Sequence, residues 1–111
     1  MPRGTKFALT GIDNSASIEI MNDNPQITKY ADMFSAIGAE PRLCIMQFLL
    51  SAHPEGMVVN EIQVELGIPN STLSHHLDKL RNEGLINVRR ESTFLRYTAN
   101  TEALRELLQF L

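Results

Sequence analysis

At 111 residues the chain has room for one domain with a modest core. Its 43% hydrophobic content fits a globular protein, and no apolar run approaches the roughly 18 residues of a membrane-spanning helix. A basic stretch followed by an apolar one is missing from the N-terminus, so no signal peptide is evident. The single cysteine, Cys44, excludes an internal disulfide and suits a cytoplasmic location. The net charge of −3 is unevenly spread: residues 70–97 hold five Lys/Arg against three Asp/Glu, whereas residues 1–69 hold four against eight. A polyanion responds to the local face rather than to the total.

Met1 to Pro25 shows little periodicity and is rich in Gly, Asn, Asp and Ser, so it is expected to be a flexible segment ahead of a domain spanning 26–111. Met21 before Asn-Asp-Asn-Pro looks like a natural beginning for that domain. Gln26 to Gly38 reads as a helix with Ile27, Tyr30, Ala31, Phe34 and Ile37 on one stripe and Gly38 as its stop. Glu40-Pro-Arg42 opens a second helix, apolar nearly all round through Leu43, Ile45, Met46, Phe48, Leu49 and Leu50. That pattern predicts a central core helix. His53-Pro-Glu-Gly56 breaks it, and Met57-Val-Val59 leads onward.

Val59, Ile62 and Leu66 are spaced i, i+3, i+7 and predict a short third helix ending at Gly67. After the turn Gly67–Asn70 comes a fourth helix, its apolar face Leu73, Leu77 and Leu80, its opposite face Ser71, Ser74, His75 and Asp78, its stop Gly84. Two short helices around a tight turn make a helix-turn-helix, whose second helix can enter a DNA major groove. Ile86 to Glu91 alternates apolar and polar, Ser92-Thr93 reverses the chain, and Leu95 to Thr98 returns, giving a hairpin with arginines on both arms. Thr101 is a good N-cap for a last helix, in which Leu104, Leu107, Leu108 and Leu111 form a stripe beside Phe110. The expected fold is mainly α with a small β-hairpin wing: four helices, two strands, one helix, in a winged helix-turn-helix.

At this point the chain resembles the ArsR/SmtB family of bacterial transcriptional repressors. The resemblance rests on Ala39-Glu-Pro-Arg-Leu43, Glu61-Ile62 with Leu66-Gly67, Ser71-Thr-Leu-Ser-His-His-Leu77, Leu80-Arg-Asn-Glu-Gly-Leu85, Arg89-Arg-Glu91 and Tyr97. It implies that Asn70, Ser71, Thr72, Ser74 and His75 meet double-stranded DNA, an inverted-repeat operator. Hydroxyl, amide and imidazole groups of this kind donate to phosphates and to base-edge acceptors. Arg81, Arg89, Arg90 and Arg96 are the candidate phosphate contacts, with one of Arg89 and Arg90 expected in an internal ion pair. The resemblance further implies a homodimer built from the first and last helices, with Ile27, Tyr30, Leu104, Leu107, Leu108 and Leu111 at its interface. Asp78 departs from the lysine or arginine common in the family, and Ser92-Thr93 from its Gly-Arg wing tip.

The sensing site is not found. Family members often bind arsenite, antimonite or zinc, but the thiol positions here read Val58 and Asn60, and the Asp/His positions Thr101 and Ala103. Arsenite needs two or three thiolates and the chain offers one. No metal set is assigned to His53, His75 and His76, and Cys44 reads as a buried, inert thiol. His76, at the edge of the inner face, reads as a packing residue. Met33, Met46 and Met57 read as core fillers.

Two readings from other classes stand beside the repressor. A winged-helix protein-interaction module would use the same face and show weak, salt-insensitive DNA association. An enzyme would need an oxyanion loop and an orienting acid beside Ser71, Ser74 and His75, and neither accompanies them.

Overall fold

The computed structural model describes residues 24–111, and the chain divides between Ala31 and Asp32 into two units. The segment expected to be flexible, 1–25, lies outside the described residues except for Asn24 and Pro25. Asn24 opens the first helix, its side-chain Oδ1 accepting from the Gln26 amide at 3.0 Å. Helix α1 runs Pro25–Ile37. In its first unit Tyr30 is buried, with the Lys29 ammonium 5.2 Å from the ring centroid.

The second unit holds the end of α1, α2 (Glu40–Ser51), β1 (Met57–Val58), α3 (Val59–Leu66), α4 (Asn70–Asn82), β2 (Ile86–Glu91), β3 (Phe94–Ala99) and α5 (Thr101–Phe110). This is the expected winged helix-turn-helix with one addition. Met57–Val58 forms a short edge strand on β3, Met57 opposite Tyr97, so the sheet has three strands in the order β1-β3-β2. Two residues are too few to show alternation, and the hairpin alone was legible.

The core is assembled from one face of each element. Ile45, Met46 and Leu49 of α2, Ile62 of α3, Leu73, Leu77 and Leu80 of α4, and Leu85, Ile86, Tyr97 and Ala99 of the sheet region are buried. Helix α2 packs against α3, α4 and β3 and is therefore the central helix, as its composition predicts. It is not enclosed all round, however: Leu43 and Leu50, seven residues apart on one face, are nearly half exposed. The stripe on α1 is also shifted. Met33 and Ala36 are buried while Ala31 and Phe34 face outward, because the apolar residues of α1 fill two adjacent lines and periodicity alone cannot choose between them.

Turns fix how the elements meet. Helix α4 ends in a left-handed Gly84, with the Gly84 amide donating to the Arg81 carbonyl and the Leu85 amide to the Leu80 carbonyl, a Schellman closure that brings Leu85 and Leu80 into the core together. Helix α5 is capped by Asn100, not by Thr101 as its sequence suggests. Asn100 Oδ1 accepts from the Ala103 amide at 3.2 Å, while Asn100 Nδ2 donates to the Gly84 carbonyl at 2.8 Å and the Asn100 amide to the Leu85 carbonyl at 2.9 Å. Thr101 has the same local capping chemistry, but only Asn100 also reaches the end of α4.

Gly56 is buried with φ +77, and a Cβ there would stand 2.0 Å from the Tyr97 carbonyl oxygen and 2.6 Å from Thr98 Cγ2. Gly67 is equally left-handed, with φ +67, but a Cβ there would meet nothing within 4 Å. Gly67→Ala is expected to cost about 1 kcal/mol, the conformational penalty alone. Gly56→Ala must also push β1 off β3 and is expected to cost more, about 2 kcal/mol or above. Urea midpoints of the two variants check the order; equal losses would show that the β1–β3 approach is soft.

Candidate nucleic-acid interface

The buried triplet Leu73, Leu77 and Leu80 fixes the rotation of α4 about its own axis. With that face inward, Asn70, Ser71, Thr72, Ser74, His75 and Asp78 are all exposed on the other. The turn before α4 is held by the left-handed Gly67, whose amide donates to the Gln63 carbonyl, and by Gln63 Nε2, which donates to the Ile68 carbonyl at 3.3 Å. The N-cap of α4 is Pro69, and no side chain caps the helix. The first-turn N–H groups therefore stand open beside Ser71 and Thr72, in the position where an incoming phosphate oxygen can accept from them.

A charged latch holds the inner edge of the same helix. Arg42, from the first turn of α2, donates through Nε to the Ala36 carbonyl at 2.6 Å, and its Nη1 lies 3.3 Å from His76 Nδ1. A guanidinium has no acceptor, so this is a hydrogen bond only while Nδ1 is unprotonated. Burial chiefly, then the Arg42 charge and the neighbouring His75, hold the His76 pKa below its usual 6.5. His76 thus sits at the edge of the inner face and packs, as the sequence suggests, but it also ties α4 to α2. Nothing in the spacing of Arg42 announces that role.

The wing divides its charges between two faces. Strand pairing sets Arg89 opposite Arg96, Arg90 opposite Leu95 and Val88 opposite Tyr97. Residues directly opposite share a face, so Ile86, Val88, Arg90, Leu95, Tyr97 and Ala99 lie on one side and Arg89, Glu91, Phe94 and Arg96 on the other. The first side is the helix side: Ile86, Tyr97 and Ala99 are buried there. Burial raises the pKa of the Tyr97 hydroxyl, with smaller opposing effects from Arg81 and Asp78 of α4.

On the second side Glu91 gathers both arginines. Its Oε2 accepts from Arg89 Nη2 at 2.6 Å and Nε at 2.9 Å, and its Oε1 from Arg96 Nε at 2.7 Å. Those bonds, first Arg96 and then Arg89, hold the Glu91 carboxyl below the usual range. Arg96 also reaches the Glu55 carbonyl, and its side chain is only 24% exposed. Arg81 stands exposed, 3.8 Å from Asp78 in a loose ion pair. Arg90 is exposed and has no ion pair among the described residues. The four candidate phosphate contacts are therefore unequal, with Arg96 the most withdrawn.

The six residues expected at a dimer interface also separate. Leu107 is 2% exposed and Tyr30 is buried in the single chain, whereas Leu108 is 67% and Leu111 66% exposed; Ile27 and Leu104 are half-buried. On α5 Leu107 turns inward, Ala103, Leu104 and Phe110 are half-buried, and Leu108 turns out, as does Leu111 just past the helix. The leucine stripe thus serves the chain's own core along one line only.

Donor chemistry does not fit the metal sites that the resemblance implies. Val58, at one thiol position, uses its amide to bond Glu61 Oε1 at 2.9 Å, and Asn60, at the other, is exposed. Thr101 and Ala103 form the first turn of α5. Cys44, half-buried, is the chain's one thiol. Neither position pair supplies a thiolate, imidazole or carboxylate.

Comparison with known proteins follows the same lines. Residues 40–88 match the family model described as bacterial regulatory protein, arsR family. The chain is 34% identical over 83 residues to an uncharacterized HTH-type transcriptional regulator of Methanocaldococcus jannaschii, covering 75% of this chain and 91% of that protein. It is 32% identical to the transcriptional activator HlyU of Vibrio cholerae, over 71% of this chain and 70% of that one. The solved HlyU structure superposes with a TM-score of 0.63, covering 75% of this chain and 88% of that chain at 32% identity. An ArsR-like transcriptional regulator from Rhodococcus, 21% identical, shares the fold with a TM-score of 0.68 over 79% of this chain and 80% of its own.

The latch carries a pH prediction. Because folding depresses the His76 pKa, the folded state binds fewer protons, and the stability this contact supplies is present above about pH 6.5 and lost as pH falls toward the folded-state pKa. The urea midpoint should therefore fall more steeply on acidification in the wild type than in His76→Gln, whose amide oxygen can still accept from Arg42. Parallel pH profiles for the two proteins would show that protonation of His76 is not coupled to folding.

Proposed function

We propose that this chain, which belongs to the arsR family of bacterial regulatory proteins, acts as a homodimeric repressor on an inverted-repeat operator. Family and fold make it a winged helix-turn-helix transcriptional regulator. The observation that carries the finer reading is the fixed face of α4: three buried leucines on one side, and on the other an uncapped N-terminus with Ser71, Thr72, Ser74 and His75 exposed together. Such a helix can enter a major groove while its first-turn amides take a phosphate, and a symmetric dimer would set two of them about one helical turn apart. Occupation of a promoter then blocks transcription by exclusion. Among the described residues no single helix is long and apolar enough to cross a membrane.

The dimer reading is supported by the outward line of α5. Leu108, two-thirds exposed on a terminal helix, costs free energy unless a second surface covers it. Half-buried Leu104 and exposed Leu111 extend that line on either side of Leu108. Release from DNA would come from a small inducer with different affinity for the two states of the dimer. The donor set argues against arsenite coordination at the family's thiol positions, and no step is assigned to a metal. We read the chain as a regulator and not as an enzyme: among the described residues no carboxylate bonds His75, and Asp78 on the same face pairs with Arg81.

Selection of bound sequences from a randomised duplex pool, followed by affinity against salt, tests the reading. An enriched inverted repeat with a steep salt slope is expected; no enrichment, or salt-independent binding, would move the face to a protein partner. Ser74→Ala with His75→Ala should then lower affinity for the enriched site by about tenfold or more while leaving the dimer intact on sizing. Leu108→Glu should shift the sizing profile toward monomer and weaken DNA binding by mass action. Leu107→Glu would be a poor probe, since that side chain belongs to the chain's own core.

A further inference from the structure

The wing presents a charge problem with a specific solution. Arg89 and Arg96 stand directly opposite each other on the outer face of the hairpin, a like-charge pair that is unfavourable by itself. Glu91 lies two residues from Arg89 on the same strand and face, beside the turn, and accepts two hydrogen bonds from Arg89 and one from Arg96. Both carboxylate oxygens are used. Arg96 is further anchored on the Glu55 carbonyl, so the triad ties the tip of the wing to the loop ahead of β1. Arg90, one residue away, is on the opposite side of the sheet, the side on which Ile86 and Tyr97 are buried and Asp78 and Arg81 of α4 lie near enough to perturb the Tyr97 hydroxyl. Its charge is not shared with any carboxylate among the described residues.

We propose that Glu91 is a positioning residue that withholds Arg89 and Arg96 from DNA and leaves Arg90 as the wing's phosphate contact. The proposal rests on the DNA-binding reading above and refines it residue by residue. A guanidinium already engaged by a carboxylate has to break that charge-assisted bond before it can neutralise a phosphate, whereas Arg90 gives up only water. The consequence is selectivity. Two more mobile arginines on a wing would raise affinity for any duplex equally, since phosphate contacts carry no sequence information. By holding them, Glu91 keeps sequence-independent binding low while α4 reads the bases.

The test is the salt dependence of affinity, measured with the full chain on its selected duplex and on a scrambled duplex of the same length. Arg90→Ala should flatten the slope of log affinity against log salt by about one unit per subunit on both duplexes. Arg89→Ala should leave the slope within error of wild type. Glu91→Gln should steepen it and raise affinity for the scrambled duplex several-fold, on the order of tenfold for two freed pairs, so that the ratio of specific to scrambled binding falls. Glu91→Asp, which keeps the charge, should restore most of the ratio; a purely structural role would not alter the slope in this way. Thermal melts establish that each variant is folded, and the Arg89–Arg90 comparison stands even if Glu91→Gln loosens the hairpin. The proposal is overturned if Arg89→Ala flattens the slope as much as Arg90→Ala, or if a folded Glu91→Gln leaves slope and ratio unchanged. Salt-independent binding by the wild type would instead overturn the DNA reading itself, and this proposal with it.

Discussion

Everything the exposed face of α4 can do depends on the burial of three leucines on its other side. Leu73, Leu77 and Leu80 are almost wholly removed from water, together with Ile45 and Leu49 of α2 and Ile62 of α3. Each side chain of this size contributes about 1.5–3 kcal/mol when fully buried, so turning α4 by even one residue would expose several kcal/mol of apolar surface. The helix is therefore clocked. Its mean composition is polar, its N-terminus carries no side-chain cap and its first turn no acid, so little in α4 itself would hold it helical in isolation. The packing supplies both the helix and its orientation, and the exposed Ser71, Thr72, Ser74 and His75 inherit that precision without contributing to it.

Charge is arranged on the same plan of fixing some groups so that others stand free. The chain is acidic overall, yet Arg42 is spent inside, on the Ala36 carbonyl and His76, and Arg89 and Arg96 are spent on Glu91. What remains outward near α4 and the wing is a small set: Lys79, Arg81 in its loose pair with Asp78, and Arg90. A count of basic residues along the sequence overstates the positive face, because it cannot see which cations already have partners. The surface ion pairs add little to stability on their own. Their effect is on availability.

Much of this is legible in the sequence itself. The i, i+4, i+7 leucines of α4, the glycines that stop α3 and α4, and the alternation of Ile86–Glu91 each encode one element locally, and all three elements stand where the pattern puts them. The missed features depend on contacts across the chain. Met57–Val58 is a strand only because β3 lies beside it. Asn100 outcompetes Thr101 as a cap because it also bonds Gly84, a residue sixteen positions away. On α1 the choice of Met33 and Ala36 over Phe34, and on α5 the choice of Leu107 over Leu108, come from neighbours that a helical wheel does not contain. The Arg89–Glu91 pairing could be anticipated from spacing, but Arg96 joins it only once the two-residue turn at Ser92-Thr93 sets the register.

The junction at Asn100 joins parts of the molecule with separate tasks. One side chain caps α5 and bonds the carbonyl of Gly84, which closes α4, while its backbone amide bonds Leu85. Helix α4 and helix α5 thus meet without a slack linker between them, like two arms cast from a single bracket. In an assembly formed through α5, the separation of the two α4 helices would be set by the angle at which the brackets are bolted together. Half-site spacing on the DNA would then be a ruler marking of the association surface, and substitutions on the outer line of α5 could change which spacing is accepted without touching a residue that meets a base.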